Sequence, residues 1–158
     1  MSLDVLDRID REILHRLQGD ATLSNAALGE ALSLTVTACW RRRKRLEDLG
    51  YITGYQASLS RKKLGWGVFA FVQVRLGDQS GDKPERFEQS IQAHPQILSC
   101  HEITGEADYV LTVVAEDLES YGRLMDRVVR KQPGVVSIQS SLSLREVKAV
   151  CNLPVEFG

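Results

Sequence analysis

Between Ser24 and Gly50 the chain reads SNAALGEALSLTVTACWRRRKRLEDLG, and this stretch restricts the fold more than any other. Ser24 is a favourable helix N-cap, and Leu23 and Leu28 hold the flanking positions whose apolar contact staples a helix start. A first helix therefore spans Asn25 to Leu32. Leu34, Thr35 and Cys39 repeat the device with Thr35 as the cap, so a second helix begins after a turn of about three residues. Helices joined so tightly must cross steeply, which is the geometry of a helix-turn-helix.

On the second helix Val36, Cys39, Trp40, Leu46 and Leu49 recur at three- and four-residue spacing and are expected to pack on the domain, with Gly50 ending the helix. Thr37, Ala38, Arg41, Arg42 and Arg45 follow the same period on the other side, with Lys44 on its flank. A basic run on a lone helix is ordinarily a solvated face. Here the turn and the preceding helix give it a shape suited to a DNA major groove. Arg can take a guanine edge with two hydrogen bonds, Thr can touch a base or a thymine methyl, and Lys44 is set toward phosphates. The expected DNA-binding residues are Thr35, Thr37, Ala38, Arg41, Arg42, Lys44 and Arg45.

The net charge of the whole chain, −1, does not suggest a nucleic-acid binder, but the charge is unevenly spread. Residues 1–63 hold eleven Lys or Arg against eight Asp or Glu, and residues 64–158 hold nine against thirteen. A basic front and an acidic back imply a division of labour. With 158 residues, 43% hydrophobic and 26% charged, the chain suits one globular domain or two small ones rather than a disordered tail. Cys39, Cys100 and Cys151 are widely spaced, with no CxxC pair or histidine cluster, so they read as small apolar residues rather than a disulfide frame or a metal site. The opening MSLDVLDRID lacks a signal-peptide pattern, and no apolar run approaches a membrane span, so a cytoplasmic protein that does not engage membranes is expected.

Taken in order, Leu6, Ile9, Ile13 and Leu17 predict a helix from Asp7 to Gln18, closed by Gly19, with charges on its outer face. After Gly50, Tyr51 to Leu59 reads as strand, where a wing would sit. Ser60 to Gly67 reads as a hinge, so the expected domains are 1–59, with the helix-turn-helix at 24–50, the hinge at 60–67, and 68–158. From Val68 the period becomes two: Val68, Ala70, Val72, Val74 and Leu76 alternate with Phe69, Phe71, Gln73 and Arg75. A helix holding Phe87, Ile91 and His94 follows, starting near Pro84 and stopping at Pro95. Ile97–Thr104 and Tyr109–Ala115 form a hairpin across the turn Gly105–Asp108. Leu118 to Val129 line a helix that ends at Pro133-Gly134, and Val135 to Leu144 form a last strand, which the tail to Val155 extends or supplements. This order gives an α+β fold: a winged helix-turn-helix joined by a hinge to a ferredoxin-like βαββαβ domain with both helices on one face of the sheet. The other face, carrying Phe69 and Phe71, is best explained by a partner sheet, so these two residues are the expected dimer interface.

LDRIDREIL at Leu6–Leu14, LSNAALGEALSLTVTACWRRRKRLEDLGYITGY at Leu23–Tyr55 and ITGEADYVL at Ile103–Leu111 resemble, in this order and spacing, three segments of the Lrp/AsnC (leucine-responsive, feast/famine) transcription factors. The resemblance covers essentially the whole length. It implies a DNA-binding regulator of double-stranded DNA, homodimers assembling into higher oligomers such as an octamer, no catalytic residues, no cofactor, and a small effector, commonly an amino acid or related metabolite. That effector would lie near the turn Gly105, Glu106, Ala107, Asp108, with Tyr109 beside it. The turn has a physical rationale as well: Gly105 admits close approach to the backbone, free N–H groups can hold a carboxylate, and Glu106 or Asp108 can accept from an ammonium.

Three departures from that family's pattern stand out. Ser33 replaces the usual Gly of the inter-helix turn, costing roughly 1 kcal/mol if φ is positive there. Arg43 replaces an aliphatic residue, so its stem should follow the core edge and its guanidinium reach water or phosphate. Val36 and Ala38 replace commonly seen prolines or small polar residues and leave the target sequence open. A second reading, a ligand sensor or a siroheme-decarboxylase-like protein of the same fold without DNA binding, would need histidines aimed at a tetrapyrrole. The chain has only His15, His94 and His101, and it leaves the basic helix without a purpose.

Overall fold

Asp7 opens the first helix by accepting the Asp10 backbone N–H on its carboxylate at 2.8 Å, and α1 runs Arg8–Gly19. In this computed structural model, residues 6–77, 81–148 and 152–155 are described. Ser24 caps α2 (Asn25–Leu32) through the Ala27 N–H, and Thr35 caps α3 (Val36–Asp48) through the Ala38 N–H. Ile13 and Leu17 from α1, Leu28 from α2, and Cys39 and Leu46 from α3 form one buried cluster. Each large aliphatic in it contributes about 1.5–3 kcal/mol of burial.

The α2–α3 turn depends on two small residues. Ser33 sits at φ 56°, ψ 42°, the left-handed region, and is the only non-glycine with positive φ among the described residues. The Leu34 N–H then returns to the Gly29 carbonyl at 2.8 Å, a helix ending of the Schellman type. Gly29 permits this fold-back, because a Cβ there would meet the Leu34 carbonyl oxygen at 2.7 Å.

Three local expectations change in this part of the chain. Of the apolar side of α3, Cys39 and Leu46 are buried, but Val36 and Trp40 are each 54% exposed. The cluster is filled by α1 and α2 before it reaches that edge of the helix. The stretch 51–59 forms no strand, since nothing in this unit offers it a ladder. It is held instead by the Ile52 N–H on the Leu46 carbonyl at 3.2 Å and by side chains, with Ile52 half-buried on the cluster and Tyr55 bonded to α3. The wing therefore has no β-structure here. Asp10 departs from the outer charged face expected for α1 and is 1% exposed.

The second unit is built on β1 (Val68–Leu76), whose burial alternates because one side faces a core and the other does not. It pairs antiparallel with β3 (Tyr109–Ala115) and β4 (Val135–Leu142), and β2 (Ile97–Glu102) pairs with β3, giving the order β2-β3-β1-β4. Ala70, Val72, Val74, Leu111 and Val113 on the sheet close over Phe87 and Ile91 of α4 (Lys83–Gln92) and over Tyr121 of α5 (Leu118–Leu124). The expected single regular helix after Leu118 is interrupted. Met125–Val129 is a π-helical turn, with Arg130 N–H reaching back to the Met125 carbonyl, and it puts Met125, Val128 and Val129 together in the core.

The boundaries also shift. The chain divides into Met1–Ser58 with Lys148–Gly158, and Leu59–Val147. The expected hinge is a folded turn within the second unit, with Leu64 N–H on the Ser60 carbonyl and Arg61 Nη1 on the Trp66 carbonyl at 2.6 Å. The C-terminal tail belongs to the first unit: the Gln18 side-chain amide exchanges two hydrogen bonds with the Leu153 backbone, at 3.1 and 2.7 Å. Cys39 is buried and Cys100 half-buried, while Cys151 lies outside the described residues. No described helix is long and apolar enough to cross a membrane.

Candidate nucleic-acid interface and effector loop

The five basic residues of α3 are placed very differently from one another. Arg42 Nη1 donates to Asp7 Oδ2 at 2.6 Å and to Asp10 Oδ1 at 2.7 Å, and Arg45 Nη1 donates to Asp10 Oδ2 at 3.0 Å. Asp7 is the N-cap of α1 and Asp10 lies in its first turn. Partial burial tends to raise the Asp7 pKa, but the Asp10 N–H and the Arg42 guanidinium outweigh it and hold the carboxyl below its usual range.

Arg43 turns inward along the other edge of the helix. Its Nε donates to the Tyr55 hydroxyl at 2.8 Å and its Nη1 to the Leu23 carbonyl at 3.1 Å, and its guanidinium lies 4.6 Å from the Tyr55 ring centre, with Glu47 at 3.4 Å. The expectation that this guanidinium reaches water or phosphate is therefore corrected: it fastens α3 to the segments on either side. Lys44 forms an exposed pair with Asp48 at 2.9 Å. Arg41 is exposed and is the one member of the run without an acidic partner among the described residues.

Of the other predicted residues, Thr37 is exposed on the same ridge as Arg41, Ala38 is half-buried, and Thr35 spends its hydroxyl on the cap. Asp7, Ala38, Arg41, Arg42 and Arg45 line one shallow groove, so the stripe read from the sequence is largely brought together, with one acid, Asp7, added to it. Asp10 escaped the sequence reading. It had a signal: Asp10, Ile13 and Leu17 lie three and four apart, so the period puts a carboxylate on the buried face.

In the second unit Gly105 has φ 123°, open space around its α-carbon, and a position in the loop between β2 and β3 that only glycine adopts without strain. Glu106 is exposed and Ala107 half-buried. The Asp108 carboxylate accepts the Leu76 N–H at 2.6 Å, while its backbone N–H donates to the Val74 carbonyl and its own carbonyl accepts from Ile103 N–H. Asp108 thus extends the ladder beside β1 past the start of β3. Tyr109 is 4% exposed, packs on Phe87, and donates its hydroxyl to Glu88 at 2.9 Å. Its pKa is raised by burial and by Glu88, so the phenol stays protonated. Tyr109 is a core residue of this unit. A cleft of about 170 Å³ lies elsewhere, lined by Trp66, Gln96, Val114, Ala115, Glu116, Ser120 and Leu124.

On the face of the sheet away from the helices, Phe69 and Phe71 meet edge to face at 5.4 Å and 82°. Phe71 is 45% exposed, and Arg61 lies over the Phe69 ring. Among the described residues no three His, Cys, Asp or Glu are grouped to hold a metal ion.

Residues 6–47, containing the cap, turn and α3 ridge just described, match the AsnC-type helix-turn-helix domain, and residues 69–152 match the Lrp/AsnC ligand binding domain. The chain belongs to the Lrp/AsnC family. It is 39% identical over 152 residues to the DNA-binding transcriptional activator DecR of Escherichia coli K12, covering 96% of this chain and all of the relative. It is 42% identical over 142 residues to the Bkd operon transcriptional regulator of Pseudomonas aeruginosa, covering 90% and 93%. Among solved structures, a transcriptional regulator of Neisseria meningitidis in complex with L-Met superposes with a TM-score of 0.91 at 35% identity, covering 95% of this chain and 97% of that one. As an Lrp/AsnC protein, this chain is a helix-turn-helix transcriptional regulator with a ligand-binding domain.

Proposed function

We propose that the protein acts in the cytoplasm as a dimer that reads operator DNA with the exposed ridge of α3 and changes that binding in response to an amino acid. The observation that carries the first part is the sorting of the basic run. Arg42 and Arg45 each commit Nη1 to acids of the unit and Arg43 is turned inward, whereas Arg41 is exposed beside Thr37 with its full set of donors uncommitted. A guanidinium free on the outer side of a recognition helix suits a guanine edge. Lys44 serves phosphate, since its surface pair with Asp48 is worth little and is readily exchanged. Thr35 and Ala38 contribute backbone and close contact at the helix start.

The effector is a free amino acid or a related metabolite held at the loop Gly105–Asp108 of one chain and completed by another chain. Support comes from the L-Met complex of the neisserial relative and from the open, glycine-hinged geometry of the loop. Tyr109 supports this loop from the core rather than touching the ligand. The Phe69–Phe71 face joins two chains, and the dimers assemble further, as far as an octamer. Genomic fragments retained by the pure protein, mapped with and without each of the twenty amino acids, test the whole reading. A shared palindromic motif whose occupancy changes with at least one amino acid is expected; retention without a motif contradicts it.

A further inference from the structure

Asp10 is the only buried charged side chain among the described residues, and both of its oxygens are taken by arginines of α3, Oδ1 by Arg42 at 2.7 Å and Oδ2 by Arg45 at 3.0 Å. Stability alone does not explain it. Position 10 continues the stripe of Ile13 and Leu17, where an apolar residue would pack without the desolvation cost of an ion, and apolar replacements of buried ion pairs are commonly neutral or stabilising. The two arginines are also not withdrawn by the contact. Only Nη1 of each is bonded to the α1 acids, their side chains stay 30% and 43% exposed, and both line the groove that contains Arg41 and Ala38. A guanidinium has five N–H donors in one plane, so fixing Nη1 sets the direction of the remaining edge.

We propose that Asp10 is a positioning residue for DNA recognition: it locks Arg42 and Arg45 in rotamers that turn their outer N–H edges to the groove, and it cancels part of their charge. Asp7 adds a second, half-exposed hold on Arg42. Discrimination by α3 then comes from fixed geometry, and general attraction to any duplex is held down because the buried carboxylate already neutralises part of the charge of the two guanidinium groups. The inference rests on the reading of α3 as the recognition helix.

The test uses the full chain, an operator duplex selected by the wild type from a random library, and a scrambled duplex of the same composition, with fluorescence anisotropy at several salt concentrations. Asp10→Asn is expected to lower the operator-to-scrambled affinity ratio roughly tenfold or more, to raise affinity for the scrambled duplex, and to steepen the salt slope by about one. Asp10→Glu keeps the charge but moves the carboxylate by one methylene, so the ratio falls with the slope unchanged. It decides the matter if Asp10→Asn is not folded at the assay temperature, as judged by circular dichroism. Arg41→Ala, run in parallel, separates the two levels. If the wild type shows no preference, or Arg41→Ala leaves the ratio unchanged, the reading of α3 fails. If Arg41→Ala lowers the preference while folded Asp10 variants keep the wild-type ratio and slope, or lose affinity for both duplexes equally, Asp10 is structural only and the inference is overturned.

Discussion

Arg42 Nη1 lies 2.6 Å from Asp7 Oδ2 and 2.7 Å from Asp10 Oδ1, so a residue of the basic helix is anchored to two acids at the start of α1. Arg42→Ala leaves the buried Asp10 carboxylate with Arg45 as its only ion-pair partner among the described residues. The variant is expected to lose roughly 2–4 kcal/mol in urea denaturation, near the range for breaking a buried pair. Thr37→Ala, on the exposed ridge, should change stability by less than about 0.5 kcal/mol. Equal effects of the two would contradict the anchoring role.

Ser33 is a stabilisation target. Its φ of 56° carries a strain that glycine does not feel. Ser33→Gly should raise stability by about 0.5–1 kcal/mol in the same denaturation experiment, and Ser33→Val should lower it. A lower midpoint for the glycine variant would mean that the serine makes a compensating contact.

Phe71→Asp places a carboxylate on the sheet face where Phe69 and Phe71 stack. Sedimentation velocity should show wild type as dimers or larger and the variant as monomers, with burial of each ring worth about 1.5–3 kcal/mol. A folded variant that stays dimeric would put the interface elsewhere.

Asp108 has a structural duty that must be separated from any contact with ligand, because its carboxylate accepts the Leu76 N–H at 2.6 Å. Asp108→Ala should cost about 1 kcal/mol for that bond. Asp108→Asn keeps an acceptor for Leu76 and should lose less stability than Asp108→Ala. If the carboxylate pairs with an effector's ammonium, calorimetric titration should show both variants binding the amino acid at least about tenfold more weakly. Wild-type affinity in Asp108→Asn would leave Asp108 as a strand-end residue alone.

The sequence carried the helix starts clearly, because capping is local: Asp7, Ser24 and Thr35 each bond the backbone N–H three residues on. Strand alternation in β1 was equally plain, since a sheet with one covered face writes its burial directly into the period. The partnerships of the basic run were not legible. Which arginine meets Asp7, Asp10 or Glu47 depends on how α1 crosses α3, and residue spacing within α3 contains no information on that. Val36 and Trp40 misled for a related reason: periodicity says which side is apolar, not how far the neighbouring helices cover it. The π-helical turn at Met125–Val129 and the return of the tail to Gln18 are tertiary outcomes of the same kind.

Arg41, alone among the five basic residues of α3 in having no acidic partner among the described residues, is the residue proposed to read a base of the operator. Measuring wild-type and Arg41→Ala affinity for the selected operator and for every single-base variant of one half-site tests it directly. The expected result is a loss of about 1–3 kcal/mol on the operator, with the preference flattened at one position of each half-site and kept at the others. An Arg41→Ala protein that retains the full wild-type preference at every position would contradict it.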